Sequence, residues 1–275
     1  MSLAGVRIGF LGGGAMAEAL IGGLLASGIA ASRLCAADPD PARRDRLAGA
    51  LGITTTATNA EIAETSELLV LAVKPDVLSP LLEALTADGL DCTRPLWISI
   101  VAGVTLASLE GALGAGARVV RAMPNTPALV GEGATGFYGN AFASDADLAA
   151  ACSLFESVGN AWNAQSEAQL DAVTGLSGSG PAYLFAFLEA LIEAGEDEGL
   201  PRDAAEQLAL QTAFGAAKLA IQSERTPAEL RRQVSSPGGT TLAGLAQLEE
   251  HGFAAALRAA VRAATRRAGE LGRGE

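Results

Sequence analysis

Through its first half the chain alternates short, mostly apolar runs with longer stretches whose apolar residues recur every three or four positions. The runs at 6–11, 34–37, 68–73, 96–100 and 119–122 are brief and bounded by Gly, Pro, Asp or Lys, the pattern of strands buried on both faces. Between them, 15–27, 41–51, 59–65, 77–85 and 106–113 predict crossover helices. Such alternation predicts a parallel sheet with helices on both faces, an α/β fold of the Rossmann type. After about Trp162 the strand pattern disappears and the chain reads as helices punctuated by Gly and Pro. That change divides the sequence into residues 1–162, an α/β domain, and 163–275, an all-helical domain.

Within the helical half, 182–193 is apolar on nearly every face, which suits a buried or intersubunit helix and not a surface one. Thr226-Pro227-Ala228-Glu229 combines the Ser/Thr-x-x-Glu capping spacing with Pro at the first helical position, so a helix starts there. The segment 253–271 carries Arg258, Arg262, Arg266 and Arg267 among alanines and reads as an amphipathic closing helix with a solvated basic face.

Composition narrows the function classes. With 275 residues and 49% apolar composition there is ample material for a core. A net charge of −12 repels a phosphate backbone, so nucleic acid is not an expected partner. Cys35, Cys92 and Cys152 are too far apart for a CxxC or Cys/His site, which argues against a disulfide framework or bound metal and fits a reducing, cytoplasmic location. The stretch 8–31 has Glu18 as its only charge, but Gly12, Gly13, Gly14, Gly22, Gly23 and Gly28 interrupt it, so neither a membrane span nor a signal peptide is expected.

Gly12-Gly13-Gly14-Ala15-Met16-Ala17 matches G-x-G-x-x-G/A between a predicted strand and a predicted helix. There Gly12 permits the tight turn, Gly14 lets backbone approach a pyrophosphate and Ala17 keeps helix and strand close, with the anion at the helix N-terminus. The next strand ends at Asp38, 24 residues past Gly14, where an acidic side chain takes the ribose hydroxyls of NAD. Arg43 and Arg44 follow, and either meet a 2′-phosphate instead or form an exposed helix turn. The segment Ala72-Val73-Lys74-Pro75 closes another strand on the same ligand-binding edge, since Pro75 cannot continue a ladder. That edge also receives Val101-Ala102-Gly103 and the stiff loop Met123-Pro124-Asn125-Thr126-Pro127.

In the helical half, Leu176-Ser177-Gly178-Ser179-Gly180-Pro181-Ala182-Tyr183 puts small residues before the apolar helix, where backbone can approach a ligand. Ser235-Ser236-Pro237-Gly238-Gly239-Thr240-Thr241 opens onto a helix at 242–250, and the unpaired N–H groups of such a junction suit a carboxylate. A capping loop with Thr240 as the N-cap is the plainer reading, and the two can hold together.

These motifs, with Ala-Val-Lys-Pro, Val-Ala-Gly-Val-Thr, Arg-Ala-Met-Pro-Asn-Thr-Pro and Asp-Ala-Val-Thr-Gly-Leu, stand in the order found in pyrroline-5-carboxylate reductase, which the chain resembles across nearly its whole length. The resemblance implies that residues 1–162 form the dinucleotide-binding domain, that 163–275 form a substrate-binding and dimerisation domain like the C-terminal one of 6-phosphogluconate dehydrogenase, and that the chain reduces 1-pyrroline-5-carboxylate to L-proline. It implies NADP(H) as cofactor, with NAD(H) the alternative that Asp38 favours, and a homodimer or higher homo-oligomer. Cofactor contacts would include Gly13, Ala15, Met16, Asn59, Val73, Lys74 and Ala102. Glu167, Glu224, Thr240 and Thr241 would lie near substrate, with the loop from Pro237 through Gly238, Gly239 and Thr240 to Thr241 holding its carboxylate. Two positions depart from the pattern: Ala15 replaces an Asn or Gln, and Gln233 stands where relatives carry an Asn that reaches cofactor and substrate.

The implied chemistry is hydride transfer to the imine carbon. An imine nitrogen is protonated by solvent near neutral pH, so positioning can suffice without an enzymatic acid. Thr241 is the candidate for a hydrogen bond to the ring nitrogen, orienting it without acting as a strong acid. Glu224 serves ring-nitrogen electrostatics or structure, and His251, the lone histidine, reads as a helix-end residue. One rival is a β-hydroxyacid dehydrogenase, which needs a lysine on the helix after Gly180-Pro181; the first lysine past that point is Lys218. Another is a dinucleotide-sensing regulator without turnover, which would not need the 237–241 loop.

Overall fold

A computed structural model describes residues 3–274. Met1, Ser2 and Glu275, the ends of the expected domain spans, lie outside the described residues. The chain divides into two compact units, one comprising residues 3–179 with 262–274 and the other Gly180–Val261.

The first unit is built on a sheet of β1 (Ile8–Leu11), β2 (Leu34–Ala37), β3 (Thr54–Thr56), β4 (Leu68–Leu71), β5 (Leu96–Ser99), β6 (Arg118–Met123), β7 (Gly133–Gly139) and β8 (Gly159–Asn163), in the order β3-β2-β1-β4-β5-β6-β7-β8. The helices α1 (Ala15–Ala26), α2 (Pro41–Leu51), α3 (Asn59–Thr65), α4 (Pro75–Ala87), α5 (Leu106–Leu113) and α6 (Asp145–Glu156) connect its strands. Side chains alternate between two cores. Ile8, Phe10, Val70 and Ile98 pack with Leu20, Leu24, Leu47 and Leu154 on one face; Leu11, Leu69, Leu71 and Trp97 pack with Ile62, Leu78, Leu82 and Leu109 on the other. Helices therefore cover both faces, as the buried strand pattern requires.

The strands expected from the apolar pattern pair in parallel, and the sheet departs from parallel pairing at one place beyond them. β1 to β6 are parallel, but β7 runs antiparallel to β6, and β8 is parallel to β7. Only a 3-10 turn, Thr126–Val130, lies between β6 and β7, too short for a crossover back to the start of a parallel strand. The domain boundary also moves, from 162 to 179. β8 reaches Asn163 within the sheet, and α7 (Gln169–Val173) packs on β6 and β7, so the chain leaves this unit only past the π-helical turn Thr174–Gly178.

The second unit comprises α8 (Gly180–Asp197), α9 (Arg202–Gln222), α10 (Pro227–Gln233), α11 (Thr240–Glu250) and the first half of α12 (Phe253–Gly272). The capping box at α10 is formed: Thr226 Oγ1 accepts from Glu229 N, and Glu229 Oε2 accepts from Thr226 N at 2.8 Å. Hydrogen bonds from Thr226 hold the Glu229 carboxyl below its usual pKa. The core of this unit is small, with Leu188, Ile192, Ala205 and Ala209 packed between α8 and α9. Leu184, Phe185, Phe187 and Leu191 of α8 and Phe214 of α9 are all exposed. Among the described residues no helix is long and apolar enough to cross a membrane.

The helix that starts at the glycine loop is held by close contact at Gly23, where a Cβ would lie 2.5 Å from Ser157 O and collide with Val158. Gly23→Ala is expected to destabilise the first unit by about 2 kcal/mol, since neither backbone can yield cheaply. Urea unfolding measures this as a lower midpoint at unchanged slope, and an unshifted midpoint would contradict the contact.

Candidate active site

Because β1 to β5 are parallel, their carboxyl ends share one edge, which receives the loops after Leu11, Ala37, Thr56, Leu71 and Ser99. Gly12 turns there with φ +103°, and a Cβ on it would sit 2.5 Å from Ala72 O, so glycine is required on two counts. Gly14 is the N-cap of α1 and offers no side-chain cap; a Cβ there would meet open space. The first helical bond runs from Glu18 N to Gly14 O at 3.0 Å, which leaves the N–H groups of Ala15, Met16 and Ala17 without a helical acceptor. Ala15 is exposed beside this opening, while Met16 packs partly against the core. Bare N–H groups, a positive helix end and backbone free of Cβ together fit a diphosphate.

Asp38 lies beneath this loop and is 3% exposed. Its Oδ2 accepts from Gly13 N at 2.8 Å and its Oδ1 from Asp40 N at 2.9 Å. The carboxylate expected to face a ribose is thus engaged by the loop. Arg43, half exposed, approaches Asp38 Oδ2 at 3.5 Å and Asp40 at 3.7 Å. Arg44 turns the other way and donates to Asp38 O and Pro39 O at 2.8 and 2.9 Å, closing the start of its own helix.

On the same edge, Asn59 is the first residue of α3 and partly buried, Ala72 and Val73 link β4 to α4, Lys74 is the exposed N-cap of α4 with Pro75 at its first position, and Ala102 is exposed after β5. Asn125 is buried and occupied by protein groups: Oδ1 accepts from Ala134 N at 2.8 Å and Nδ2 donates to Ser177 O at 3.0 Å. It ties the β7 start to the π-helical turn 174–178.

Glu167 belongs to the first unit, where Oε1 accepts from Arg121 Nη1 and from Leu106 N, both at 2.8 Å. Arg121 has no counterpart among the sequence candidates, although a charge inside the apolar run Arg118-Val119-Val120-Arg121-Ala122-Met123 is a signal that could have marked it.

The second unit carries Glu224 and the 237–241 loop. Gly238 adopts φ +70°, and α11 begins at Thr240 with Gly239 as N-cap. Thr240 is therefore the first helical residue and not the cap, because Gly239 already has the extended backbone of that position, φ −83° and ψ 167°. No side chain caps this helix, and its first internal bond is Ala243 N to Gly239 O, so the N–H groups of Thr240, Thr241 and Leu242 have no helical acceptor. Thr240, Thr241 and Glu224 are exposed. Gln233 accepts from Arg225 Nη1, and His251 is the C-cap of α11 with Nδ1 3.0 Å from Gln247 O. Burial pushes the pKa of all three cysteine thiols up, which disfavours the thiolate and any nucleophilic part for them.

Comparison with known proteins adds the following. Residues 167–271 match the pyrroline-5-carboxylate reductase dimerisation family, and residues 7–103 match the family described as NADP oxidoreductase, coenzyme F420-dependent. The chain is 47% identical to the pyrroline-5-carboxylate reductase of Pseudomonas aeruginosa over 96% of each sequence. A solved pyrroline-5-carboxylate reductase from Coxiella burnetii superposes with a TM-score of 0.92 at 39% identity, covering 97% of this chain and 98% of that one. The Plasmodium falciparum enzyme, solved with NADP bound, superposes with a TM-score of 0.85 at 31% identity, covering 98% of this chain and 100% of that one.

The Asp38 geometry yields a measurable consequence. Asp38→Ala is expected to weaken NADH and NADPH alike by about tenfold, because it releases the Gly13 loop that both would use. Titration of the quenching or enhancement of reduced-nicotinamide fluorescence reads this. Loss of NADH binding alone would instead put the carboxylate on the ribose hydroxyls.

Proposed function

This chain belongs to the pyrroline-5-carboxylate reductase family, and we infer that it transfers a hydride to the ring imine of 1-pyrroline-5-carboxylate, giving L-proline, as a cytoplasmic homo-oligomer. The observation that carries this reading is the presence in one chain of two glycine-led, uncapped helix N-termini: α1 for a diphosphate and α11 for a carboxylate. A bound reduced nicotinamide supplies the hydride. Gly12, Gly13 and Gly14 receive the diphosphate, flanked by Ala15 and Met16, while Asn59, Ala72, Val73, Lys74, Pro75 and Ala102 line the dinucleotide along the sheet edge. NADPH is the working cofactor with NADH accepted. Engagement of Asp38 by Gly13 N and the exposure of Arg43 support this, since a diol-binding carboxylate must face outward.

Gly238 and Gly239 shape the turn that presents the backbone N–H groups of Thr240 and Thr241 to the substrate carboxylate, and the Thr241 side chain orients the ring nitrogen. Solvent supplies the proton, since a threonine hydroxyl is too weak an acid for that role. Glu224 adds a negative charge that favours the protonated imine. Homo-oligomerisation is supported by the exposed apolar face of α8 and α9 and by the small core between them: a face of this kind is stable in water only when a second copy covers it.

The direct test follows NADPH and NADH oxidation with 1-pyrroline-5-carboxylate present; absence of turnover with both cofactors would sink the reading. Thr241→Ala is expected to lower kcat/KM about tenfold while NADPH affinity stays unchanged, the signature of a lost contact to substrate alone. Unaltered kinetics would remove Thr241 from the chemistry.

A further inference from the structure

Loop 101–105 leaves the carboxyl end of β5 and enters α5, and both of its ends are gripped. At the helix end, the N-cap Thr105 accepts from Ser108 N at 3.2 Å, while Leu106 N, a second orphan donor, is taken by Glu167 Oε1 at 2.8 Å. The same Glu167 oxygen receives Arg121 Nη1 at 2.8 Å, and Arg121 Nη2 lies 3.5 Å from Asp171 Oδ1. Arg121 is buried in β6 and has two carboxylates for its one charge. At the other side, the last turn of α12 leans on the loop. A Cβ at Gly103, whose φ is +73°, would stand 3.1 Å from Leu271 Cβ, and one at Gly272 would stand 3.4 Å from Thr105 Cγ2.

A carboxylate held this way does not face a small acid. Its charge is matched by a buried guanidinium, and the oxygen that carries both hydrogen bonds is directed at a helix N-terminus sixty-one residues away in sequence. The bond from Arg121 is charge-assisted on both sides and that from Leu106 N on the acceptor side, so both are short and directional. Their consequence falls on the backbone between β5 and α5, where Ala102 is exposed on the dinucleotide edge.

We propose that Glu167, locked by Arg121, is a positioning residue that sets loop 101–105 against the nicotinamide cofactor, and that it does not contact the substrate. This rests on the assignment of that edge to the dinucleotide. Removing the carboxylate leaves Leu106 N unsatisfied and Arg121 with Asp171 alone, so the loop loses its fixed entry into α5. The cofactor then binds a loop that must first be ordered.

NADPH affinity of the whole protein without substrate, measured by nicotinamide fluorescence, separates the two roles. Glu167→Ala is expected to weaken NADPH about tenfold, and Glu167→Gln, which keeps an acceptor at the same place, about threefold. The KM for 1-pyrroline-5-carboxylate at saturating NADPH should stay within about twofold in both. Should the alanine variant not fold, the isosteric glutamine variant carries the test. Wild-type NADPH affinity in folded Glu167→Gln, or a defect confined to the KM of the pyrroline acid, overturns the proposal. Wild-type protein that binds no NADPH overturns it together with the cofactor assignment, whereas binding without turnover sinks only the substrate reading.

Discussion

A diphosphate can sit at the start of a helix only if backbone approaches it without side chains in between, and that constraint organises the first unit. Gly12 must turn at positive φ because Ala72 O already occupies the space a Cβ would need. Gly14 must cap α1 without a side chain so that three N–H groups stay bare. The Asp38 carboxylate then holds Gly13 from below, buried, with both oxygens on backbone donors. Sheet order follows from the same requirement, since β1 lies between β2 and β4 and their carboxyl ends supply Asp38 and Ala72 on either side of the loop.

The second unit obeys a different constraint. Its core is small, and its largest apolar side chains face outward. The 237–241 loop stands on that scaffold. Its design repeats the first site with another anion in view: a positive-φ glycine, a bare glycine N-cap and a first turn of free N–H groups.

Legibility in the sequence tracked apolar burial. The strands at the centre of the sheet, and α1 to α5, lie within a few residues of where their patterns predict them, because each is buried by neighbours of the same domain. The missed strands lack that pattern for identifiable reasons. β3 is three threonines at a sheet edge, β8 is half-exposed and polar, and β7 contains Gly133, Gly136 and Gly139, each where a Cβ would strike a neighbour: Val158 O, Val173 and Leu148. Glycine here is required by close approach and erases the strand signal. The local motifs Gly12-Gly13-Gly14 and Pro237-Gly238-Gly239 announce the helix starts that follow them, since that meaning is carried by adjacent residues. The partnerships of Asp38 with Gly13, Asn125 with Ser177 and Glu167 with Arg121 join residues 25 to 52 positions apart, and only the folded chain reveals that these polar groups satisfy one another.

In the proposed reaction the two glycine-led sites serve one hydride transfer to a ring imine. NADPH carrying deuterium at both nicotinamide C4 positions, incubated with the protein and 1-pyrroline-5-carboxylate, tests it directly. Proline carrying one deuterium at ring C5, detected by mass spectrometry and placed by proton NMR, is the predicted result; proline formation without label, or cofactor oxidation without labelled proline, would contradict it.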